Sequence, residues 1–213
     1  MKQPSKQSPY RRLAVGIVLG GCLVAGGAVG LDGTADAAAA TTRHPLAPRT
    51  SLERATVLAI AREHQRSADD AALQALAAAI YDESVRAAVD PLLVASIVAK
   101  ESSFRPGAVS ARGAIGLMQL RPFVAKSVAA QLSLEWPGIG ALVTAQFNVR
   151  LGVHYYKGLV ERFDGDAHKA LTAYNVGPSR VTQQLRDGTY VGSTYARDVL
   201  ALYSRLSSAR SDV

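Results

Sequence analysis

The sequence predicts an all-α protein, and three observations lead to this fold class. Every long patterned segment after residue 50 has apolar residues at helical spacing, and no segment alternates between polar and apolar residues over any length. Several of these segments begin with an Asp or Ser followed by a helical run, or with Pro at the first turn. The chain has 213 residues, 48% hydrophobic and 19% charged, which is enough for one well-buried core.

Residues 1–40 have the pattern of an export signal. A stretch without charge runs from residue 13 to residue 31, small residues follow it, and four basic residues precede it: Lys2, Lys6, Arg11 and Arg12. Three alternatives stay open, namely a cleaved signal peptide, an uncleaved membrane anchor, and a lipoprotein acylated at Cys22 of a Leu-Gly-Gly-Cys sequence. In each case the functional part is expected in the periplasm or cell envelope, with any membrane contact made through this segment.

The charge and the cysteine count narrow the function classes. Loss of residues 1–40 removes four positive and two negative charges, so the net charge falls from +7 to +5. A moderately basic exported domain suits a polyanionic surface such as a cell wall, and the scattered charges and the export signal argue against nucleic acid. No cysteine follows Cys22, which excludes disulfides and a cysteine nucleophile in the folded part. The four histidines lack metal-ligand spacing, so neither a metal nor a cofactor is expected, and the domain is expected to be a monomer.

After the export segment the pattern divides into three parts. Residues 41–74 are predicted to form a linker and an N-terminal helical extension, residues 75–206 the main helical domain, and residues 207–213 a tail. Helices are predicted over 52–66, over 68–88 with Ser67 as N-cap, from Pro91 with Asp90 as N-cap, from Pro122, over 144–163, from 166 to a stop at Gly177 and Pro178, and from a cap at Ser193 or Thr194 to 206.

Glu101 occupies an unusual position in the helix that begins at Pro91. Leu93, Ile97 and Glu101 are spaced i, i+4 and i+8, so the carboxyl group shares the apolar face at the last helical turn. Burial and the negative end of the helix dipole should both raise the pKa of that carboxyl, as a general acid requires. The alternative is a side chain that reaches solvent at the helix end, or one that pairs with Arg105 or Arg112.

The residues around Glu101 form a series of motifs. In chain order they are Glu101-Ser102 with Pro106 and a Ser-x-x-Gly-Ala turn at 110–114, Gly116-Leu117-Met118-Gln119, an Asn-Val-x-x-Gly helix from 148, Ala173-Tyr174-Asn175-Val176-Gly177-Pro178, and Tyr195. This set, over about residues 88–206, resembles the lysozyme-like lytic transglycosylases, the soluble-lytic-transglycosylase (SLT) domain. The resemblance implies a lysozyme-like (goose-type) helical fold and glycan strands of peptidoglycan as substrate.

The resemblance also implies roles for individual residues. Glu101 would be the catalytic residue, and six residues would bind substrate: Ser110, Met118, Gln119, Tyr174, Asn175 and Tyr195. Each has a simpler interpretation, because a methionine often fills a core, Gln and Asn often cap turns, and tyrosines pack. The chain departs from the family at Arg121, where Met is common, and in the unusual loop of residues 136–140.

A single carboxylate would distinguish this family from ordinary glycosidases. Those enzymes use two carboxylates, whereas no Asp or Glu occurs between residues 102 and 134. In the family that this chain resembles, one Glu protonates the bond between N-acetylmuramic acid and N-acetylglucosamine, and the muramic acid's own 6-hydroxyl closes on C1 to give a 1,6-anhydro end. Two alternatives stay open. One is a hydrolytic muramidase, with Glu135, Asp164 or Asp187 as second acid, and the other is a non-catalytic wall-binding domain.

Overall fold

The computed structural model describes residues 50–211, with side chains from 53 to 208. The predicted export segment of residues 1–40, including Cys22, and most of the predicted linker lie outside the described residues. The helices are α1 (Thr50–His64), α2 (Asp70–Ala87), α3 (Pro91–Ser102), α4 (Pro122–Gln131), a short 3₁₀ helix (Ile139–Val143), α5 (Ala145–Arg162), α6 (Ala167–Val176), α7 (Pro178–Arg186) and α8 (Thr194–Ser211). No strand forms within residues 50–211, and no helix there is long and apolar enough to cross a membrane.

Helix α3 is the centre of the core. Its residues from Pro91 to Ala99 are all buried, and it packs against α1, α2 and α8. The sequence predicted one apolar face, but the helix is buried on every side until its last turn, because three helices cover it. Asp90 accepts a hydrogen bond from Leu92 N at 2.8 Å, and Pro91 follows it, so the predicted start of the helix is confirmed.

Helix α1 lies in the segment predicted as an extension, residues 41–74, but it packs on the same core as the helices of residues 75–206. Val57 and Ala61 are fully buried, and they belong to the same apolar cluster as α3. A second, smaller cluster joins α4 to α5 through Val128, Ala129 and Leu151. The loop between α3 and α4 contributes residues to both clusters, Met118 to the first and Leu120 to the second. Within this loop Ile115 forms two isolated antiparallel β-bridges, one with Val109 and one with Leu120.

Several helix boundaries differ from the predictions, beginning with α1, which spans Thr50–His64 where 52–66 was predicted. Ser67 is not the cap of α2; Asp69 accepts from Ala72 N at 3.0 Å, because the chain turns between α1 and α2 for longer than the pattern suggested. Gly177, with φ of 93°, ends α6 as predicted, but Pro178 starts α7 at once, since a proline at the first position has no N–H to leave unpaired. The last helix continues to Ser211, past the boundary drawn at 206.

Gly152 in α5 provides a test of the packing between α5 and the loop after α3. A methyl group there would overlap the Met118 side chain, which is fully buried, so Gly152→Ala should lower the free energy of unfolding by about 1–3 kcal/mol. Gly158→Ala in the same helix meets nothing within 4 Å and should stabilise by up to about 1 kcal/mol through helix propensity. Urea unfolding of both variants measures this, and stabilisation by Gly152→Ala would contradict the packing described here.

Candidate active site

Glu101 lies where α3 leaves the core. The helix ends at Ser102, and the chain then reverses through Ser103 and Phe104, which both have left-handed backbone with φ of 49° and 60°. Phe104 is fully buried and anchors this turn. The Glu101 side chain is partly buried and lines a cavity of about 610 Å³.

Tyr195 holds the carboxyl group of Glu101. Its hydroxyl donates to Glu101 Oε1 at 2.7 Å from the first turn of α8, and the tyrosine is only 9% exposed. Burial and the neighbouring Glu101 charge raise the pKa of Tyr195 well above its ordinary value, so the phenol keeps its proton. Tyr195, which the resemblance implied as a substrate-binding residue, thus contacts the Glu101 carboxyl group directly.

The environment of Glu101 perturbs its acidity in the predicted direction. Burial raises the pKa of the carboxyl from its ordinary value of 4.5 to about 7, against the opposing effects of the Tyr195 hydrogen bond and the Lys100 charge. Such a group is divided about evenly between its acid and base forms at neutral pH. Glu101 forms no ion pair with Arg105 or Arg112 in the described residues, and Arg105 Nε donates instead to Ser102 O at 3.0 Å.

The corner between α1 and α2 supports the turn after Glu101. Gln65 Nε2 donates to Ser103 O at 2.7 Å, and the rings of His64 and Phe104 lie 5.4 Å apart. Left-handed backbone costs about 1–3 kcal/mol at residues with a side chain, so this turn needs such support. Gln65 was not among the predicted site residues, because no local pattern connects it to a residue 38 positions away.

Ser110 and Gln119 shape the loop that borders the Glu101 cavity. Ser110 Oγ accepts from Ala114 N at 3.0 Å, and Gln119 Nε2 donates to Ala108 O at 3.1 Å and to Gly116 O at 2.9 Å. Both side chains line the cavity. Their polar groups are therefore used first to fix the loop, which fits the turn-capping interpretation, and their remaining surface faces the cavity.

Asn148 and Tyr174 fix the backbone of Met118. Asn148 Oδ1 accepts from Met118 N at 2.8 Å, and the Tyr174 hydroxyl donates to Met118 O at 2.7 Å. The Met118 side chain is fully buried against Gly152, which favours the core-filling interpretation over the predicted contact with substrate. The buried position follows from the two backbone hydrogen bonds, which turn the side chain inward.

Asn148 was not among the predicted site residues, although the sequence contained a signal for it. The side chain is fully buried on α5, and besides its bond to Met118 its Nδ2 donates to Ile115 O and to Leu142 O, both at 2.9 Å. The Asn-Val-x-x-Gly motif marked this position.

A larger cavity of about 790 Å³ extends the site along α4 and the junction of α6 with α7. It meets the Glu101 cavity at Gln119, which lines both. Tyr174 and Asn175 line it, as expected for residues that bind a glycan, and the Tyr155 ring lies 5.3 Å from that of Tyr174. The two cavities adjoin at Gln119 and are together called the groove below.

Glu101 is the one carboxylate among the residues that line the two cavities. The acids suggested as second carboxylates, Glu135, Asp164 and Asp187, do not line either cavity. Within the described residues, no group of three or more His, Cys, Asp or Glu side chains is arranged to hold a metal ion.

Comparisons with known proteins place this geometry in context. The model of the family "Transglycosylase SLT domain" matches residues 78–192, which is more than half of the chain. The soluble lytic murein transglycosylase of Salmonella typhimurium is 31% identical over 103 residues, 48% of this chain but 15% of that protein. The chain therefore corresponds to a small part of that longer relative.

Two solved structures resemble the fold. An inactive Glu-to-Gln variant of the lytic transglycosylase Slt from Pseudomonas aeruginosa aligns with 63% of this chain and 24% of that one, at 27% identity and a TM-score of 0.57. The 70-kDa soluble lytic transglycosylase of Escherichia coli aligns with 73% of this chain and 29% of that one, at 20% identity and a TM-score of 0.58. The predicted all-α, lysozyme-like fold is confirmed.

The hydrogen bond from Tyr195 gives a testable effect on the acidity of Glu101. Because this bond lowers the pKa of the carboxyl, Tyr195→Phe should raise that pKa above its value of about 7. NMR titration of the labelled Glu101 carboxyl carbon measures the shift. Tyr203→Phe is the matched control. Tyr203 also lies on α8, and its hydroxyl donates at 2.8 Å to Oδ2 of Asp90, the N-cap of α3. A similar change in the Glu101 pKa in both variants would contradict a direct effect of the Tyr195 hydrogen bond.

The raised pKa also predicts how stability depends on pH. Between pH 4.5 and 7 the folded protein keeps a proton on Glu101 that the unfolded chain releases, so the contribution to stability is complete below pH 4.5 and is lost as the pH rises through 7. At about 1.4 kcal/mol per pKa unit, Glu101→Gln should be more stable than wild type by up to about 3 kcal/mol at pH 8 and little different at pH 4. Urea unfolding at both pH values, with the exposed Glu135→Gln as control, tests this. A stability difference that does not change with pH would contradict it.

Proposed function

The chain belongs to the transglycosylase SLT domain family, and on this premise we propose that it is an exported lytic transglycosylase of peptidoglycan. The substrate is the glycan strand, and the bond cleaved is the β-1,4 bond between N-acetylmuramic acid and N-acetylglucosamine. The product ends in 1,6-anhydromuramic acid. The enzyme works as a monomer in the periplasm or cell envelope, to which residues 1–40 direct it. Residues 75–206 form the catalytic domain together with α1 and the start of α2, which pack on the same core.

Glu101 serves as both acid and base in this proposal. In its protonated form it gives the proton to the bridging oxygen, so that the leaving sugar departs as an alcohol. The resulting carboxylate then takes the proton from the muramic acid 6-hydroxyl as that oxygen attacks C1, and Glu101 returns to its starting state. A pKa of about 7 suits both steps at neutral pH, since neither form is strongly disfavoured.

The observation that carries the proposal is a single carboxylate in the groove. A hydrolase needs a second carboxylate, roughly 5–10 Å from the first, to activate water or to attack C1. An attacking hydroxyl within the substrate needs none, because it is already held beside C1 and only has to lose its proton. Glu101 is the one carboxylate among the lining residues, which favours the intramolecular route over the muramidase alternative.

Two further features support the assignment. The Pseudomonas aeruginosa relative was made inactive by a Glu-to-Gln change, which suits a reaction that depends on one glutamate. The groove beside Glu101 offers Ser110, Gln119, Tyr174 and Asn175 to the sugar hydroxyls and N-acetyl groups, while Tyr195 orients the acid. Hydrogen bonds from such groups would hold the muramic acid with its 6-hydroxyl close to C1.

Glu101→Gln should abolish cleavage of purified peptidoglycan while the helix content stays unchanged, because Gln keeps the shape but neither donates nor accepts the proton. Wild type should release sugars that end in 1,6-anhydromuramic acid, which are lighter by one water than hydrolytic products. Mass spectrometry of the released sugars measures both results. Glu135→Gln is the matched control, because Glu135 is exposed and outside the groove, and it should keep full activity.

Reducing ends as the main product would show that water attacks C1, and the muramidase would replace the proposal. Activity of Glu101→Gln within tenfold of wild type would remove Glu101 from the reaction. If wild type binds peptidoglycan but releases no sugar, the wall-binding alternative would hold instead.

A further inference from the structure

Three arginines line the larger cavity of the groove without any acid among the lining residues. They are Arg112, Arg121 and Arg180, and the name arginine groove is used below for the part of the cavity that they line. All three are exposed. The nearest carboxylate in the site is Glu101, which lines the adjoining cavity together with a fourth arginine, Arg105.

The three arginines come from separate elements. Arg112 lies in the loop between α3 and α4, Arg121 is the residue before α4, and Arg180 is in the first turn of α7. These arginines line the same cavity because of the tertiary fold, and they do not form a local run of basic residues. Like charges brought together in this way repel one another unless an anion lies between them.

Within residues 50–211, none of the three forms an ion pair or donates a side-chain hydrogen bond. Other arginines do: Arg62 pairs with Asp70 at 2.7 Å, and Arg86 and Arg150 pair with Glu83 at 3.2 and 3.5 Å. The guanidinium carbon of Arg121 lies 4.9 Å from the centre of the Phe123 ring, a contact that orients the group but leaves its N–H donors open.

The arginine groove is close enough to Glu101 to belong to the same binding event. Tyr174 lines the groove, and the Glu101 charge contributes to raising the pKa of its phenol. Phe123 is 64% exposed at the other side of the groove and offers an apolar ring face. A glycan whose scissile bond lies at Glu101 would therefore place neighbouring substituents over the arginines.

We propose that the arginine groove binds carboxylates carried by the substituents of the glycan strand, so that the protein selects anionic peptidoglycan. This rests on the proposed function for its substrate, but it concerns selection and not the reaction. A guanidinium group binds a carboxylate through two parallel N–H···O bonds, which a neutral amide cannot replace. The carboxylates have two sources, the lactyl group of unsubstituted muramic acid and the free carboxyl groups of the stem peptides.

Amidation of the substrate gives a direct test. Peptidoglycan strands with free carboxylates are compared with the same strands after carbodiimide coupling to methylamine, which converts the carboxylates to neutral amides. Wild-type full-length protein should have a kcat/KM about tenfold higher on the free-acid strands at low salt, as expected for one or more charged hydrogen bonds. In the variant R112A/R121A/R180A this ratio should fall towards one.

A matched control variant separates the effect of the groove arginines from the effect of a lower net charge on the protein. The variant R54A/R66A/R205A also loses three exposed arginines, but none of them lines the groove, so it should keep the wild-type ratio. Equal rates of wild type on the two substrates would overturn the proposal. An unchanged ratio in the groove variant, or an equal loss in the control variant, would overturn it as well.

Binding to the Glu101→Gln protein separates this inference from the proposed function. Calorimetric affinities for free-acid and amidated strands should differ about tenfold with the groove arginines present and should converge without them, whatever the product of the reaction. Strands freed of peptides by an amidase keep only lactyl carboxylates. Discrimination that persists on those strands identifies the lactyl group, and discrimination that disappears identifies the stem peptide.

Discussion

The burial of α3 is the constraint on which the site depends. The helix is enclosed from Pro91 to Ala99 by α1, α2 and α8, and it leaves this enclosure only in its last turn. Glu101 stands in that turn, so its carboxyl group is close to the core and yet open to a groove. The raised pKa is a consequence of this position, since the same enclosure that stabilises the helix removes water from one side of the acid. A more exposed Glu would remain a carboxylate at neutral pH, and a fully buried one would have no access to substrate.

The loop after Glu101 contains no helix or named strand, and side chains from distant helices add to the backbone hydrogen bonds that the loop makes with itself. Asn148 of α5 makes two hydrogen bonds to the backbone of this loop, Tyr174 of α6 makes one, and Gln65 from the α1–α2 corner makes one. Each buried backbone group that these side chains satisfy would otherwise cost about 1–3 kcal/mol. The loop is therefore held from three sides, which keeps the cavity wall in place without a ligand.

The parts of this arrangement that were predictable from the sequence are those with local causes. Asp90 and Pro91 start α3 through backbone groups two residues away, and the i, i+4 and i+8 spacing put Glu101 at its end. Ser67 failed as a cap because Asp69, two residues later, offered the same chemistry, and spacing alone does not choose between them. Gln65 and Asn148 act over 38 and about 30 residues, and no periodicity reports such contacts. The burial of Met118 was not predictable for the same reason, since the side chains that contact it come from α5 and α6.

The turn after Glu101 is supported by residues at the end of α1, so the site requires a part of the chain that lies before the segment matched by the family model. The SLT family model begins at residue 78, after α1 and part of α2, yet Gln65 and His64 contact the two left-handed residues that follow Ser102. Left-handed backbone at Ser103 and Phe104 is costly, and it persists only where other contacts determine it. Phe104 contributes by its complete burial, and Gln65 by holding the Ser103 carbonyl. A reaction in which one carboxyl group gives and then takes a proton has little tolerance for a shift of that group. The α1–α2 corner thus contributes to the position of Glu101 without lining the groove near it.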